Sequence, residues 1–435
     1  MNGDPVLERF QALFGPEFGH GKVFDIDKLR DVLTAMGAPH KNLPPVIHVA
    51  GTNGKGSTIA FMRAIAEAAG LRVHAFTKPH LFRLNERFVI ASETATNESL
   101  IAAAERVADI SRDITQFDAQ VAVALLLFSQ TAADITLIET GMGGRDDSTN
   151  VIEAPEISVI TPISLDHQDV LGATLAEIAT HKAGILKAGA PAIIARQQQD
   201  TMRVLEARAD DIGAQLLRCG VEWDAYASHG RLLVQTEARA LDLPLPGLHG
   251  RHQIDNAGLA CATLLALGSP QFDDAAFADG VAHAWWPARL QPLTRGGLSA
   301  PIRAVGGEVW VDGGHNAHAA AALRHWAVSA TRQRKASLVI IFAARPRKNW
   351  SMALKYLAMI AERVIAVPMP EGVDPQKIAD YARSEGSAAS VAPSLTVAMQ
   401  NAAQLPAPRV LICGSFTLAA EALALEGLAQ ATSSD

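Results

Sequence analysis

The chain has 435 residues, of which 49% are hydrophobic, and a formal net charge of −7. That length points to two domains with sizeable cores and argues against disorder, and the acidic balance argues against a general nucleic-acid binder. Cys219, Cys261 and Cys413 lack metal-type spacing and suit a reducing compartment. Asp4 and Glu8 precede any apolar run, so the start does not read as a signal peptide. The longest strongly apolar run, Val121 to Phe128, is too short to span a bilayer. The expectation is a soluble cytoplasmic protein with no membrane partner.

In chain order, residues 1–45 predict one short amphipathic helix, about Asp27 to Met36, then a loop from Lys41 to Pro45. Val46 to Ala50 reads as a buried parallel strand. Gly51, Gly54 and Gly56 break it, and Thr58 to Ala69 repeats at helical spacing toward a stop at Gly70. Strand, glycine loop, Lys55, hydroxyl and helix form the layout of a phosphate cradle. Backbone N–H groups converge there on phosphate oxygens, beside the positive end of a helix. The usual P-loop formula needs glycine at position 49, where this chain has Val49. The alternative is a glycine-rich turn with a solvated lysine.

Arg72 to Phe76 predicts a second strand, which Pro79 cannot continue. Asn97 to Arg112 predicts a helix, residues 113–118 a break, and Ala119 to Ser129 a buried helix. Ile135 to Ile138 predicts a strand ending at Glu139, followed by the glycine loop Gly141 to Asn150. Ile157 to Thr161 predicts another strand, leading to Asp166 and His167. Leu175 to Lys182 predicts a helix and Ala192 to Ala195 a strand. This alternation argues for an α/β fold with a doubly wound, mostly parallel sheet. Ligands of such sheets sit beyond the carboxyl ends of the strands, where the 51–58 loop, Glu139 and Asp166-His167 fall. Val221 to Leu245 reads as short antiparallel segments and Gly250 to Leu267 as a helix. Trp285 to Gly297 reads as a hinge, and the remainder as a smaller Rossmann-like α/β domain with a frayed tail at 431–435. The expected domains are 1–292 and 293–435.

Several stretches, in this order and spacing, resemble the folylpolyglutamate synthase family of the Mur ligase superfamily, including its bifunctional dihydrofolate synthase members. They are Val49 through Ser57, Pro79-His80-Leu81, Asn85-Glu86-Arg87, Glu139 through Arg145, Thr149-Asn150 and Leu165-Asp166-His167. Lys182 to Ile185, His252-Gln253 with Asn256, Trp286 to Gln291, Asp312 to Asn316 and Cys413-Gly414-Ser415 complete the set. The resemblance implies an ATP-dependent ligase. A pteroate or folate carboxylate takes the γ-phosphoryl group, and the amine of L-glutamate attacks the acyl phosphate. Cations must neutralise two meeting anions, and the acyl phosphate must be kept from water, which suits a cleft closing between domains.

The same resemblance assigns residues. Asn53, Gly54, Lys55, Gly56 and Ser57 match the ATP phosphate loop, and Asn256, Arg289 and Asp312 further ATP contacts. Glu139 and His167 match magnesium ligands, although imidazole is an unusual magnesium ligand. Lys182 matches a lysine that is carbamylated in this family; Lys55, His167 and Lys182 are the expected catalytic set. Thr115, Gln116, Phe117 and Asp118, with Asp146, Asp147 and Ser148, match pterin-side loops. Phe117 either stacks on a pterin or is a core phenylalanine. Magnesium, ATP as co-substrate and a potassium ion are the implied cofactors, and a monomer is expected.

Three departures stand out. Lys78 replaces the family's usual metal-ligating serine, and an ammonium has no lone pair to offer a metal. It either points away or places its own charge near the phosphates. Ala344 to Asn349 stands where an Asp-Lys-Asp-type motif is usual, and Asp118 where glutamate is common. They leave open a divergent ligase with another acid or amine, or a binding paralogue that has lost catalysis.

Overall fold

A computed structural model describes residues 3–16, 25–346 and 349–428. The tail at 431–435, and Arg347 and Lys348 of the 344–349 stretch, lie outside the described residues. The chain divides into two compact units. The first runs to Ser164 and takes in Gln168–Gly247 and Gln253–Trp285; the second takes Leu165–His167, Leu248–His252 and the chain from Trp286.

The first unit is built on an eight-stranded sheet, ordered β4-β3-β2-β5-β1-β6-β7-β8. The strands are β1 (Val46–Ala50), β2 (Val73–Phe76), β3 (Phe88–Ile90), β4 (Glu93–Thr94), β5 (Ile135–Glu139), β6 (Ile157–Ile160), β7 (Ala192–Ile194) and β8 (Leu216–Arg218). From β2 to β8 every pairing is parallel, and β3 and β4 add an antiparallel edge. Strand β1 lies between β5 and β6, and all five of its residues are buried. The near-continuous apolar composition of β1 and β6 is what a strand covered on both faces requires. In register, Val49 sits beside Glu139 and Ala50 beside Ile160. The glycine loop, Glu139 and Thr161 therefore emerge together at one end of the sheet. A separate antiparallel sheet joins β9 (Trp223–Ser228), β10 (Arg231–Thr236) and β11 (Ala240–Pro244).

The second unit has a six-stranded sheet of order β12-β13-β17-β14-β15-β16. Its strands are β12 (Gln291–Leu293), β13 (Glu308–Val311), β14 (Leu338–Phe342), β15 (Arg363–Ala366), β16 (Ala388–Val391) and β17 (Arg409–Cys413). Only β12 runs antiparallel to its neighbour.

The structure corrects several sequence expectations. The N-terminal stretch holds two helices: Pro5–Phe14, capped by Asp4, precedes Ile26–Ala35. The break expected at 113–118 is a helix start. Thr115 caps Gln116–Gln130, and Asp118 returns a bond to the Thr115 N–H. This reciprocal cap turns a polar stretch into a first helical turn. The helix after β1 begins at Lys55, not Thr58. The helices Gln199–Ile212, Asp274–His283, Trp350–Ala358 and Leu395–Ala402 were not expected from the sequence. The first of these buries only Thr201, Leu205 and Ala209, a stripe too narrow to stand out by periodicity. Among the described residues, no helix is long and apolar enough to cross a membrane.

Candidate active site

Gly51 leaves β1 at a φ of +145°, and a side chain there would collide with Thr161. Gly54 has a φ of +93°, and a methyl on it would run into Asn256 Oδ1. These are conformations and approaches that glycine alone meets without strain. The loop is braced from the far side of β1. Thr52 and Asn53 donate their N–H groups to the Pro162 carbonyl at 3.0 and 3.3 Å. Thr52 Oγ1 donates to the Ser164 carbonyl and accepts the Ser164 N–H, each at 3.0 Å. The helix His252–Leu267 braces it from another side: Asn256 Nδ2 donates to Gln253 Oε1 at 2.9 Å, and Gln253 Nε2 to Ser57 Oγ at 3.4 Å. The first turn at Lys55 carries no side-chain cap, so its N–H groups face the loop as anion donors do.

Two lysines converge here. Lys55 Nζ donates to the carbonyls of Gly51 and Thr52, each at 3.2 Å. Lys182, which is only 4% exposed, donates to the same Gly51 carbonyl at 2.8 Å. The buried Glu139 carboxylate lies 3.8 Å from the Lys55 ammonium through Oε1, while Oε2 accepts the Lys78 N–H at 3.1 Å. A single carboxylate does not make a closed metal site, and among the described residues no group of three or more His, Cys, Asp or Glu could hold an ion. Carboxylate oxygen is the ligand type that a hard divalent cation takes.

The Thr115–Asp118 stretch and the Asp147-Ser148 turn meet. Ser148 Oγ donates to Asp118 Oδ1 at 2.5 Å, and Thr115 supplies two further donors to Asp118 Oδ2. Asp147 accepts from the Met142 N–H and from Thr149, whose hydroxyl also pairs with His48 Nε2 at 2.8 Å. That hydroxyl gives its proton to Asp147, so His48 donates through Nε2 and its Nδ1 is left without a partner. Burial pushes the His48 pKa down to about 3. Asp146 does not join this net; it turns outward to Arg145 and His181, and Arg145 holds its carboxyl below the usual range. Phe117 is buried against Phe76, and the Lys78 ammonium lies 5.1 Å from its ring centroid. Of the two alternatives for Phe117, its burial is that of a core phenylalanine. Gln116 is 1% exposed, and both polar atoms of its amide lack a partner.

In the second unit, Arg289 stands between two left-handed residues, Ala288 at φ +54° and Leu290 at φ +43°. Such backbone costs of order 1–3 kcal/mol per residue and persists only where neighbours hold it. Here Asp312 Oδ2 accepts the Leu290 N–H at 2.8 Å, Gln291 Oε1 the Ala288 N–H at 3.0 Å, and the Ala288 carbonyl the Gly313 N–H at 2.9 Å. The Arg289 guanidinium lies over Phe416, 4.8 Å from the ring centroid. Burial pushes the Asp312 carboxyl up, opposed by Arg289 and two backbone N–H donors. His167, also left-handed at φ +52°, has a half-exposed imidazole 4.0 Å from Asp166. Asp166 also accepts from Asn316 Nδ2 at 3.1 Å and lies 3.8 Å from His315. Glu139 belongs to the first unit and His167 to the second.

The family model for the Mur ligase middle domain matches residues 49–264, and that for the Mur ligase glutamate ligase domain matches 301–416. The dihydrofolate synthase/folylpolyglutamate synthase of Escherichia coli is 31% identical over 403 residues, covering 91% of this chain and 90% of that protein. The chain belongs to the Mur ligase family. Among solved structures, E. coli FolC in complex with DHPP and ADP superposes with a TM-score of 0.85 at 27% identity, covering 97% of both chains. The bifunctional enzyme of Yersinia pestis, complexed with AMPPNP and Mn ion, has a TM-score of 0.83 at 28% identity, again over 97% of each chain.

Within this Mur ligase, the sequence motifs gather into three groups: loop with Glu139 and Lys182, the 115–118 and 147–148 net, and Arg289 with Asp312. Sequence reasoning missed Thr161, which shapes the loop, and Phe416, under Arg289, and it gave no role to Gln253, which braces the loop. Gly51 and Gly54 carried a signal for close neighbours, but not which residues those were. For Phe416 only its place after Cys413-Gly414-Ser415 pointed to it.

Proposed function

We propose that this Mur ligase couples ATP cleavage to formation of an amide between a pterin-bearing carboxylic acid, dihydropteroate or a folate, and L-glutamate. The observation that carries the reading is the pairing of Lys55 and Lys182 on one loop carbonyl beside Glu139. The Lys55 ammonium and the uncapped helical N–H groups offset the charge of a triphosphate and of the transferring phosphoryl group. The nucleotides bound in the E. coli and Y. pestis structures support ATP as the phosphoryl donor.

The chemistry runs in two steps. A carboxylate oxygen of the acid attacks the γ-phosphorus, the bond to the β–γ bridging oxygen breaks, and ADP leaves. The glutamate amine then attacks the acyl carbon, phosphate leaves, and the amine loses a proton. Lys55 neutralises the γ-phosphoryl oxygens; Gly54, Gly56 and Ser57 offer backbone N–H groups, and Asn53 and Asn256 fix the loop. Glu139 and His167 would hold a magnesium ion, which supplies Lewis-acid stabilisation of the phosphates. Carbamylation of Lys182 would place an anion beside the loop. The family resemblance supports Arg289 and Asp312 as further nucleotide contacts. The unpartnered amide of the buried Gln116 supports acid binding along the 115–118 turn, because a pterin offers matching donors and acceptors. Asp118, Asp147 and Ser148 hold that turn, and the description of residues 301–416 as a glutamate ligase domain supports the choice of amine.

The test is phosphate release from ATP with dihydropteroate, dihydrofolate or tetrahydrofolate, each with and without glutamate, with product mass read in parallel. Release that needs both co-substrates, with a product heavier by one glutamyl residue, is expected. Release without either, or silence with every acid while ATP still binds, would refute the reading.

A further inference from the structure

Two glutamines lie one turn apart in the buried helix Gln116–Gln130. Gln116 is 1% exposed, and Gln120 has no exposed surface. Four residues of separation put them on one face of the helix, with Cβ atoms about 5–6 Å apart. Arg87 Nη1 donates to Gln120 Oε1 at 2.6 Å. A guanidinium only donates, so this bond fixes the amide: its oxygen faces Arg87 and its Nε2 turns the other way. Among the described residues, Gln120 Nε2 and both amide atoms of Gln116 have no hydrogen-bond partner.

Packing does not call for these amides. From Val121 to Leu126 the same helix is apolar and buried, and a leucine at 116 or 120 would continue that core without a desolvation cost. The one carboxylate nearby in the chain, Asp118, accepts from the Thr115 N–H and hydroxyl and from Ser148 Oγ. A buried polar group without a partner costs stability and calls for a ligand or another explanation. The three atoms, two amide nitrogens and one amide oxygen, are the complement of a ring lactam. A lactam carbonyl has two lone pairs, one for each glutamine Nε2, and the N–H beside it faces Gln116 Oε1.

We infer that Gln120 is a specificity-determining residue that, together with Gln116, reads the lactam edge of the acid substrate's ring system. This rests on the reading above that the acid carries a pterin, whose ring carbonyl and adjacent N–H form such an edge. Replacing that carbonyl by an amine reverses the pattern: the acceptor becomes a donor facing Gln120 Nε2, and the ring nitrogen loses the hydrogen that faced Gln116 Oε1. A site built to hydrogen-bond one pattern leaves buried groups unpaired with the other, which changes affinity by about tenfold or more.

Binding of dihydropteroate, and of its counterpart with an amine in place of the ring carbonyl, is measured by fluorescence titration of the full chain saturated with ADP. The wild type is expected to hold the carbonyl compound about tenfold or more tighter. Gln120→Glu keeps an oxygen for Arg87 and puts a second oxygen where Nε2 stood, so the preference falls to unity or inverts. Gln116→Leu removes the remaining donor and acceptor and brings the ratio to near unity. Unchanged ADP affinity in both variants reports that they fold. A wild type without the preference, a preference that survives in either variant, or an equal loss for both compounds overturns the inference while leaving the proposed reaction standing. A wild type that binds neither compound overturns both.

Discussion

Lowering the pH to about 5 should cost the protein about 2 kcal/mol of stability at His48 alone. His48 lies in the central strand β1 with no exposed surface, and burial holds its pKa at about 3 against an ordinary 6.5. The unfolded chain therefore binds a proton below about pH 6.5 that the folded chain refuses until about pH 3. Stability is complete above the unfolded value and falls as pH drops through that window. At about 1.4 kcal/mol per pH unit, the loss near pH 5 is about 2 kcal/mol. His48→Leu removes the titrating group and its unpartnered Nδ1, giving up one bond to Thr149. Its stability near neutral pH should stay within about 1 kcal/mol of wild type. The assay is urea unfolding of both chains near pH 7 and pH 5. The fall in unfolding free energy should be smaller in His48→Leu by about 2 kcal/mol. An equal fall in both would refute the reasoning, because His48 would then be protonated as readily folded as unfolded.

Gly54→Ala should cost about 1–2 kcal/mol in backbone strain and displace Asn256, weakening ADP binding at least about tenfold by calorimetry. Gly37→Ala, at a φ of +86° with nothing within 4 Å, carries the strain without the collision and should leave ADP affinity unchanged. Asp312→Ala strips acceptors from the Leu290 and Gly314 N–H groups. It should lower stability by about 2–3 kcal/mol in thermal unfolding and slow turnover through Arg289. Lys182→Met should abolish glutamate-dependent phosphate release, by about a hundredfold or more. Carbon-labelled bicarbonate should give a carbamate signal by NMR in wild type but not in that variant.

The sequence was legible where a single physical demand acts on neighbouring residues. The apolar run of β1 and the glycines after it announce a buried parallel strand and a backbone turn. Glu139 is announced by the strand that ends on it. Long-range partners were not legible. Phe117 and Gln116 sat in an apparent break because a Thr115–Asp118 cap resembles a loop until its reciprocal bonds are seen. The left-handed backbone flanking Arg289 involves Ala288 and Leu290, residue types that give no hint of positive φ. Asp312, which holds that backbone, comes from another strand. Lys78 was seen as a departure, but its direction toward Phe117 depends on a main chain pinned by Glu139 and Arg87.

Gly51 is the position where these constraints meet. Its φ of +145° and its closeness to Thr161 forbid a side chain, so the strand can end there only as bare backbone. Bare backbone leaves one carbonyl open to two ammonium groups, from Lys55 on the following helix and from Lys182 far along the chain. The Glu139 carboxylate lies 3.8 Å from the Lys55 ammonium. An added anion gains from the Lys55 ammonium and from the helix N-terminus behind it. The residue that folding requires to be glycine is thus also the one that gathers the positive charge. Any substitution at Gly51 should therefore lose nucleotide binding and loop geometry together, whereas Lys55→Met should lose the first and keep the second.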